Sequence, residues 1–329
     1  MENIASALGK TVLMLGAVGA GLWAFGPYEP VDLKASFDPA SLDDGVGAYF
    51  KRVESAFSDI TPGTEKRVVW AGAPETSTPL SVVYFHGFSG TSEEIRPVPD
   101  RVAAALGANL VYTRLAGHGR PGAAMAGPTV NDWMQDLAEA LAVARKVGER
   151  VVVIATSTGA TLMTAAALDP ELSRDVAAVV MVSPNYGINH PVAGLLTWPA
   201  ARHWLPLLAG RERSFPVRSP DHERFWTTSY PSVAAMPMAA LVKAVMQLKV
   251  EEARIPALFW FSKADQVVRP DLTVDVAARW GGPVRVQNHD PGPEDDPYAH
   301  VMAGDVMSPG QTDVAVEDIL TWLTDLEIR

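Results

Sequence analysis

The chain contains no cysteine. That absence removes disulfides, Cys-ligated zinc, iron–sulfur clusters, thiol nucleophiles and lipidation through cysteine, and it leaves the compartment open. A long run of Lys and Arg is also missing, and 27 basic against 38 acidic side chains leave a formal charge of −11. Without a basic stripe there is no electrostatic footprint for a phosphate backbone, so no nucleic-acid partner is expected. Internal repeats and low-complexity tracts are absent, so no repeat architecture is expected. What is present is ordinary globular composition, 48% hydrophobic and 20% charged over 329 residues, which fits neither disorder nor collagen. Such a length suits about two domains, or one large α/β domain carrying an insertion.

The first 28 residues stand apart. Thr11 to Tyr28 form 18 consecutive uncharged positions between Lys10 and Glu29, ending in Gly26-Pro27. That length nearly spans a bilayer. A cleaved secretory signal would show a small-x-small site after the apolar run, whereas the Ala-x-Ala of Ala5 to Ala7 precedes it. Residues 1–28 therefore read as an uncleaved anchor and possible membrane-associating segment, with a cleaved signal or an amphiphilic helix packed on the protein as the alternatives. Lys10 on one flank, against Glu29 and Asp32 on the other, favours the amino terminus inside and the body outside, which in a bacterium means the periplasmic face. A cytoplasmic location stays open.

Beyond this segment, short β-branched runs alternate with longer helical patterns in the order of a parallel α/β sheet. Strands are expected at Lys66–Ala71, Val82–His86, Asn109–Leu115, Arg150–Thr156, Ala177–Ser183 and Ala257–Ser262, with a seventh at Val284–Asn288. Near-continuous apolar runs such as Val151 to Ala155 and Ala177 to Val182 imply strands covered on both faces. Helices must supply that cover. Val130, Trp133, Leu137, Leu141 and Ala144 recur at helical spacing behind a Thr129–Asp132 capping box, and a last helix is expected over Val314–Leu326.

Residues 187–253, rich in Pro, Trp and Arg, break the alternation with short helical patterns and no strong strand, and read as an inserted cap. Trp198, Trp204, Phe215, Phe225, Trp226 and Tyr230 line a pocket under that cap or form its own small core. The expected division is thus a hydrophobic segment at 1–28, an extension at 29–65, a core at 66–186 and 254–329, and the cap.

The chemistry begins where a buried strand runs into Ala155-Thr-Ser-Thr-Gly159 and then a helix. Such a strand-to-helix turn throws the central side chain, Ser157, out above the carboxyl end of the sheet, and small neighbours are needed at Ala155 and Gly159. Amides at the new helix's start add partial positive charge where a tetrahedral oxyanion develops. A second strand ends in His86-Gly-Phe-Ser-Gly90. Gly87 lets the main chain approach closely enough for the Phe88 amide to supply one oxyanion donor, with Thr158 supplying the other.

In order along the chain, His86-Gly-Phe-Ser-Gly90, Arg114-Leu-Ala-Gly-His-Gly119, Asn131-Asp-Trp-Met-Gln-Asp136 and Ala155-Thr-Ser-Thr-Gly159 resemble the α/β-hydrolase superfamily. The likeness is to capped serine esterases and lipases of the monoacylglycerol-lipase or carboxylesterase kind, and it covers roughly residues 66–329. Ala155 stands where the family more often has glycine. The resemblance implies the α/β-hydrolase fold: a mostly parallel central sheet, helices on both faces and a helical cap.

It also implies the chain order nucleophile, acid, histidine. Asp265, in the turn after the Ala257-to-Ser262 strand, takes the acid's place. Asp290, Asp295 and Asp296 fall too close to the histidine loop. His300, after the acidic loop Asp290–Pro297, takes the place of the family's histidine, with His289 as the alternative; His86, His118, His190, His203 and His222 lie in earlier loops or the cap. The implied activity is carboxylic-ester hydrolysis through an acyl-enzyme, on a small-molecule ester with a hydrophobic acyl or alcohol part, without metal or organic cofactor. A thioesterase, amidase, lactonase or cofactor-free haloperoxidase on the same fold is the alternative, and a noncatalytic binding protein a more distant one. Oligomeric state is not legible.

Overall fold

Alternate residues of the central strands fall into two separate apolar clusters, and that division sets the architecture. Val83, Phe85, Val153 and Ala155 belong to one cluster, while Val82, Tyr84, Val152 and Ile154 belong to the other. Successive side chains of a strand point to opposite faces, so a sheet that is apolar at every position must be covered twice.

The computed structural model describes residues 2–329. The chain runs through α1 (Glu2–Phe25), α2 (Val46–Glu54), β1 (Arg67–Val69), β2 (Thr78–Phe85), α3 (Val98–Ala105), β3 (Asn109–Tyr112), α4 (Val130–Val147), β4 (Gly148–Thr156), α5 (Thr158–Ala166) and β5 (Val176–Val182). Then come α6 (Ala201–Ala209), β6 (Glu212–Ser214), α7 (Pro220–Phe225), β7 (Ser229–Pro231) and α8 (Ala235–Val245). The chain ends with β8 (Ala257–Phe261), α9 (Pro270–Arg279), β9 (Val284–Asn288) and α10 (Pro309–Asp325). Seven strands form one sheet in the order β1-β3-β2-β4-β5-β8-β9. All neighbours are parallel except β1, which runs antiparallel to β3 at the edge. After β2 the chain steps outward to β3 and then returns across β2 to β4. The crevice between the carboxyl ends of β2 and β4 is thus the switch point where α/β sheets bind ligands.

Helices α4, α5 and α9 cover one face, through Trp133, Leu137, Leu141, Leu162 and Val276. Helices α3 and α10 cover the other, through Val98, Val102, Ile319, Trp322 and Leu323. Helix α4 starts at the expected capping box, Thr129 with Asp132. Differences from the sequence reading lie at element ends. β2 begins at Thr78 because Thr78 and Leu80 already pair with Gly148 and Arg150 of β4. β3 stops at Tyr112, where its ladders to β1 and β2 both end. α10 begins at Pro309, whose fixed φ and missing N–H suit a first helical turn. Between β5 and β8 a short antiparallel ladder joins β6 to β7, where no strand is expected. Its three-residue strands are too short for alternation to show.

Residues 29–65 are held on the α4 side of the sheet by α2, whose Val46, Tyr49 and Phe50 enter that core, and by buried charge. Arg114, after β3, is gripped by both Glu54 oxygens at 2.8 and 2.9 Å. Lys66 reaches Asp136 and Glu139 of α4 at 2.8 and 2.7 Å. Burial alone would push the Lys66 ammonium down, but the two carboxylates outweigh it and raise it.

The apolar run forms α1. Its window Ser6–Phe25 has a mean hydropathy of 1.5 and is not buried in the protein, so by length and composition the helix suffices to cross a membrane. The chain after it is tied to the region between β5 and β8. The Pro27 carbonyl accepts the Ala200 N–H at 2.7 Å, Trp23 meets Trp198 edge to face, and Glu29 pairs with Arg202.

Removing one partner of a buried ion pair strands the other charge at a cost of about 3–5 kcal/mol. Glu54→Ala is expected to destabilise the protein by about that amount, read as a lower urea midpoint in equilibrium unfolding.

Candidate active site

Ser157 follows β4 directly, at φ 50° and ψ −114°. Its N–H donates to the Val182 carbonyl at the end of β5, 2.9 Å away, so the turn is anchored to the neighbouring strand. Gly159 permits it: a Cβ there would stand 2.5 Å from the Phe85 carbonyl oxygen and 2.7 Å from that of His86. The first turn of α5 is therefore pressed against β2, which puts Ser157 beside the loop that follows β2. Among the described residues, neither the Phe88 amide nor the Thr158 amide donates to a protein acceptor, and Phe88 and Ser157 border the same cavity.

The structure brings His300 and Asp265 to the same place. His300 Nε2 lies 3.1 Å from Ser157 Oγ, and its Nδ1 lies 2.8 Å from Asp265 Oδ2. An imidazole that donates Nδ1–H to Asp265 presents Nε2 as acceptor for the serine hydroxyl. Asp265 Oδ1 accepts the amides of Val267 and Val268 at 2.8 and 2.9 Å, which fixes the carboxylate behind the ring. Burial alone would lower the His300 pKa. The charge and hydrogen bond of Asp265, with Glu94 and Asp296 beyond, outweigh it and hold the ring above its ordinary value.

The other candidates lie elsewhere. His289 stacks on Trp260 and sits 2.7 Å from Asp318, away from Ser157. His86 is buried, accepting the Leu115 N–H at Nε2 and facing the Gly87 carbonyl through Nδ1, and burial pushes it well below its ordinary value. His118, packed against Phe88 and Trp133, is lowered to about 4 by burial. Asp295 and Asp296 shape the histidine loop. Asp296 accepts the amides of His300 and Val301 at 3.1 and 3.0 Å, and Asp295 those of Gly292 and Gly310. Glu94 has no place in the sequence reading. It is 2% exposed and borders the cavity beside Ser157, yet no motif marks it, because its significance depends on where the turn after β2 folds.

The cavity measures about 490 Å³ and has Ser157 and His300 in its wall, a size that suits a small organic ligand. The region between β5 and β8 supplies most of its apolar lining, including Leu195, Leu196, Leu205 and Met238. Of the six aromatic candidates, Phe215, Trp226 and Tyr230 line it, while Trp198, Trp204 and Phe225 do not. No cluster of His, Asp and Glu able to hold a metal occurs among the described residues.

The profile of the serine aminopeptidase S33 family (Hydrolase_4) matches residues 77–289. The thermostable monoacylglycerol lipase of Bacillus sp. (strain H-257) is 26% identical over 192 residues, 58% of this chain and 73% of that protein. A solved structure from a study of the metagenome-derived lipolytic enzymes LipS and LipT superposes with a TM-score of 0.65 at 20% identity, covering 81% of this chain and 99% of the other. The soluble variant of monoglyceride lipase from Saccharomyces cerevisiae, in complex with a substrate analog, superposes with a TM-score of 0.56 at 10% identity, over 80% of this chain and 91% of that one. The architecture is thus the α/β-hydrolase fold anticipated from the motifs.

The placement of Asp265 behind the ring has a direct consequence for titration. His300 is expected to titrate above the ordinary histidine value in an NMR pH series, and Asp265→Asn to bring it down; a ring that titrates identically in both proteins contradicts the geometry.

Proposed function

From the premise that the chain belongs to the serine aminopeptidase S33 family of α/β-hydrolases, we propose that it is a serine hydrolase of carboxylic esters with a hydrophobic acyl or alcohol part. What supports this reading above all is the unbroken hydrogen-bond chain from Asp265 through His300 to Ser157, in the wall of an apolar cavity. The Bacillus relative, named a monoacylglycerol lipase, points to esters before amides.

In this reading His300 Nε2 takes the hydroxyl proton as Ser157 Oγ bonds to the ester carbonyl carbon. The carbonyl oxygen gains the charge and is held by the Phe88 and Thr158 amides. The carbon–oxygen bond to the alcohol breaks, and His300 returns its proton to the departing oxygen. Water then attacks the acyl-enzyme, giving its proton to His300, and the acid leaves as Ser157 regains its hydrogen. Asp265 stays ionised throughout, fixing the tautomer and balancing the transient imidazolium. Residues 187–253 act as the cap over the acyl or alcohol chain. Helix α1 anchors the enzyme in a membrane, with Glu29 and the body on the outer side.

Two experiments test this. A fluorophosphonate probe is expected to add one adduct, located at Ser157 by mass spectrometry, and Ser157→Ala to abolish both labelling and p-nitrophenyl ester turnover, by about 10⁵-fold or more. A graded series of acyl lengths, with matching thioesters and p-nitroanilides, is expected to favour medium to long oxygen esters; preference for anilides would make the enzyme an amidase. For the anchor, full-length protein should pellet with membranes and a chain beginning at residue 29 should not. Recovery of both in the soluble fraction refutes the membrane assignment.

A further inference from the structure

Glu94 sits in the turn between β2 and α3 and, among the described residues, forms no salt bridge with Lys or Arg; its neighbours Arg67 and Arg96 are taken by Glu93. Its Oε2 accepts the Gly87 N–H at 2.6 Å and the Tyr84 hydroxyl at 2.9 Å. The same Tyr84 oxygen lies 3.1 Å from Oγ1 of Thr156, the residue before Ser157. One carboxyl therefore bridges the end of β2, which carries the Phe88 amide, and the end of β4, which carries the serine. Its other oxygen fills the fold of the loop after β2. A Cβ on Gly87 would stand 2.8 Å from Glu94 Oε1 and 3.1 Å from Ser157 Cβ, and one on Gly90 would stand 2.9 Å from the same oxygen. That oxygen makes no hydrogen bond to the described residues.

We propose that Glu94 is a positioning residue for the hydrolytic reaction: through the Gly87 amide and the Tyr84–Thr156 bridge it sets the Phe88 N–H against Ser157. This role rests on Ser157 being the nucleophile. A carboxyl is an expensive choice for a brace, because an unpaired buried anion costs several kcal/mol. It would also stand beside the oxygen on which negative charge develops, opposing the reaction. A proton on the carboxyl would relieve both penalties. Burial raises the Glu94 carboxyl above its ordinary value, against the opposing pull of the Gly87 amide, the Tyr84 hydroxyl and His300. The titratable groups packed nearest are Tyr84 from β2 and His300, while Arg213, Arg218, His222 and Asp296 stand in the same cavity wall.

The test is steady-state hydrolysis of p-nitrophenyl butyrate at neutral pH by the full-length protein and its Glu94→Gln, Glu94→Ala and Tyr84→Phe variants, with fluorophosphonate labelling as control. Glu94→Ala is expected to lower kcat about 10–100-fold with KM changed less than about threefold, the signature of an interaction lost in the transition state. Glu94→Gln keeps an acceptor for the Gly87 amide and is expected to restore kcat to within about fivefold at neutral pH. Tyr84→Phe, which removes the hydroxyl that joins Glu94 to Thr156, is expected to lower kcat at least about threefold with KM little changed. The proposal is overturned if Glu94→Ala, folded by its melting curve, keeps kcat within about twofold. It is equally overturned if Tyr84→Phe, folded by its melting curve, keeps kcat within about twofold; should Glu94→Ala not fold, that variant decides alone. A parent that neither labels nor turns over esters removes the serine reading and this role together. A labelled, active parent with indifferent variants removes Glu94 alone.

Discussion

Ser157 occupies backbone territory that costs on the order of 1–3 kcal/mol, and the conformation persists only because its surroundings leave no other. Its N–H is taken by Val182 from β5, its carbonyl accepts the amides of Thr161 and Asn185, and Gly159 is wedged against Phe85 and His86. Those constraints come from three adjacent parallel strands, β2, β4 and β5, whose register is fixed by apolar side chains on both faces. The sheet core thus stores the strain that exposes one hydroxyl at the switch point. Chemistry above the sheet and packing within it are the same constraint seen from two ends.

The carboxylates around the cavity divide the work by what their oxygens bond. Asp265 faces the imidazole with one oxygen and two backbone amides with the other. Asp296 accepts main-chain amides, including that of His300 itself, and faces Arg218, and so orients the loop rather than the ring's proton. Glu94 does for the loop after β2 what Asp296 does for the histidine loop, from the opposite side of Ser157.

The sheet strands are legible in the sequence because both of their faces are apolar and their runs are uninterrupted. The capping box at Thr129 and Asp132 is legible because its bonds span three residues. Ser157 is legible through its place at a strand-to-helix turn, Asp265 and His300 through the chain order that the family resemblance implies, and the structure gathers the three within hydrogen-bond reach. Other features depend on tertiary neighbours. The antiparallel direction of β1 and the docking of residues 29–65 through a Glu54–Arg114 pair 60 residues apart both depend on partners distant in sequence. Glu94 and Asp296 are carboxylates in polar stretches until the fold buries them, and burial is what gives each its meaning. The β6–β7 ladder is set by the fold around it.

One contact set links the first helix to the edge of the cavity. Pro27 and Ala200, Trp23 and Trp198, and Glu29 and Arg202 join the end of α1 to the start of α6, and α6 contributes Leu205 and Ala209 to the cavity wall. Three contacts of different kinds thus connect the end of α1 to that wall. A displacement of α6 away from the cavity therefore either carries the end of α1 along or breaks a backbone hydrogen bond, an aromatic contact and an ion pair together.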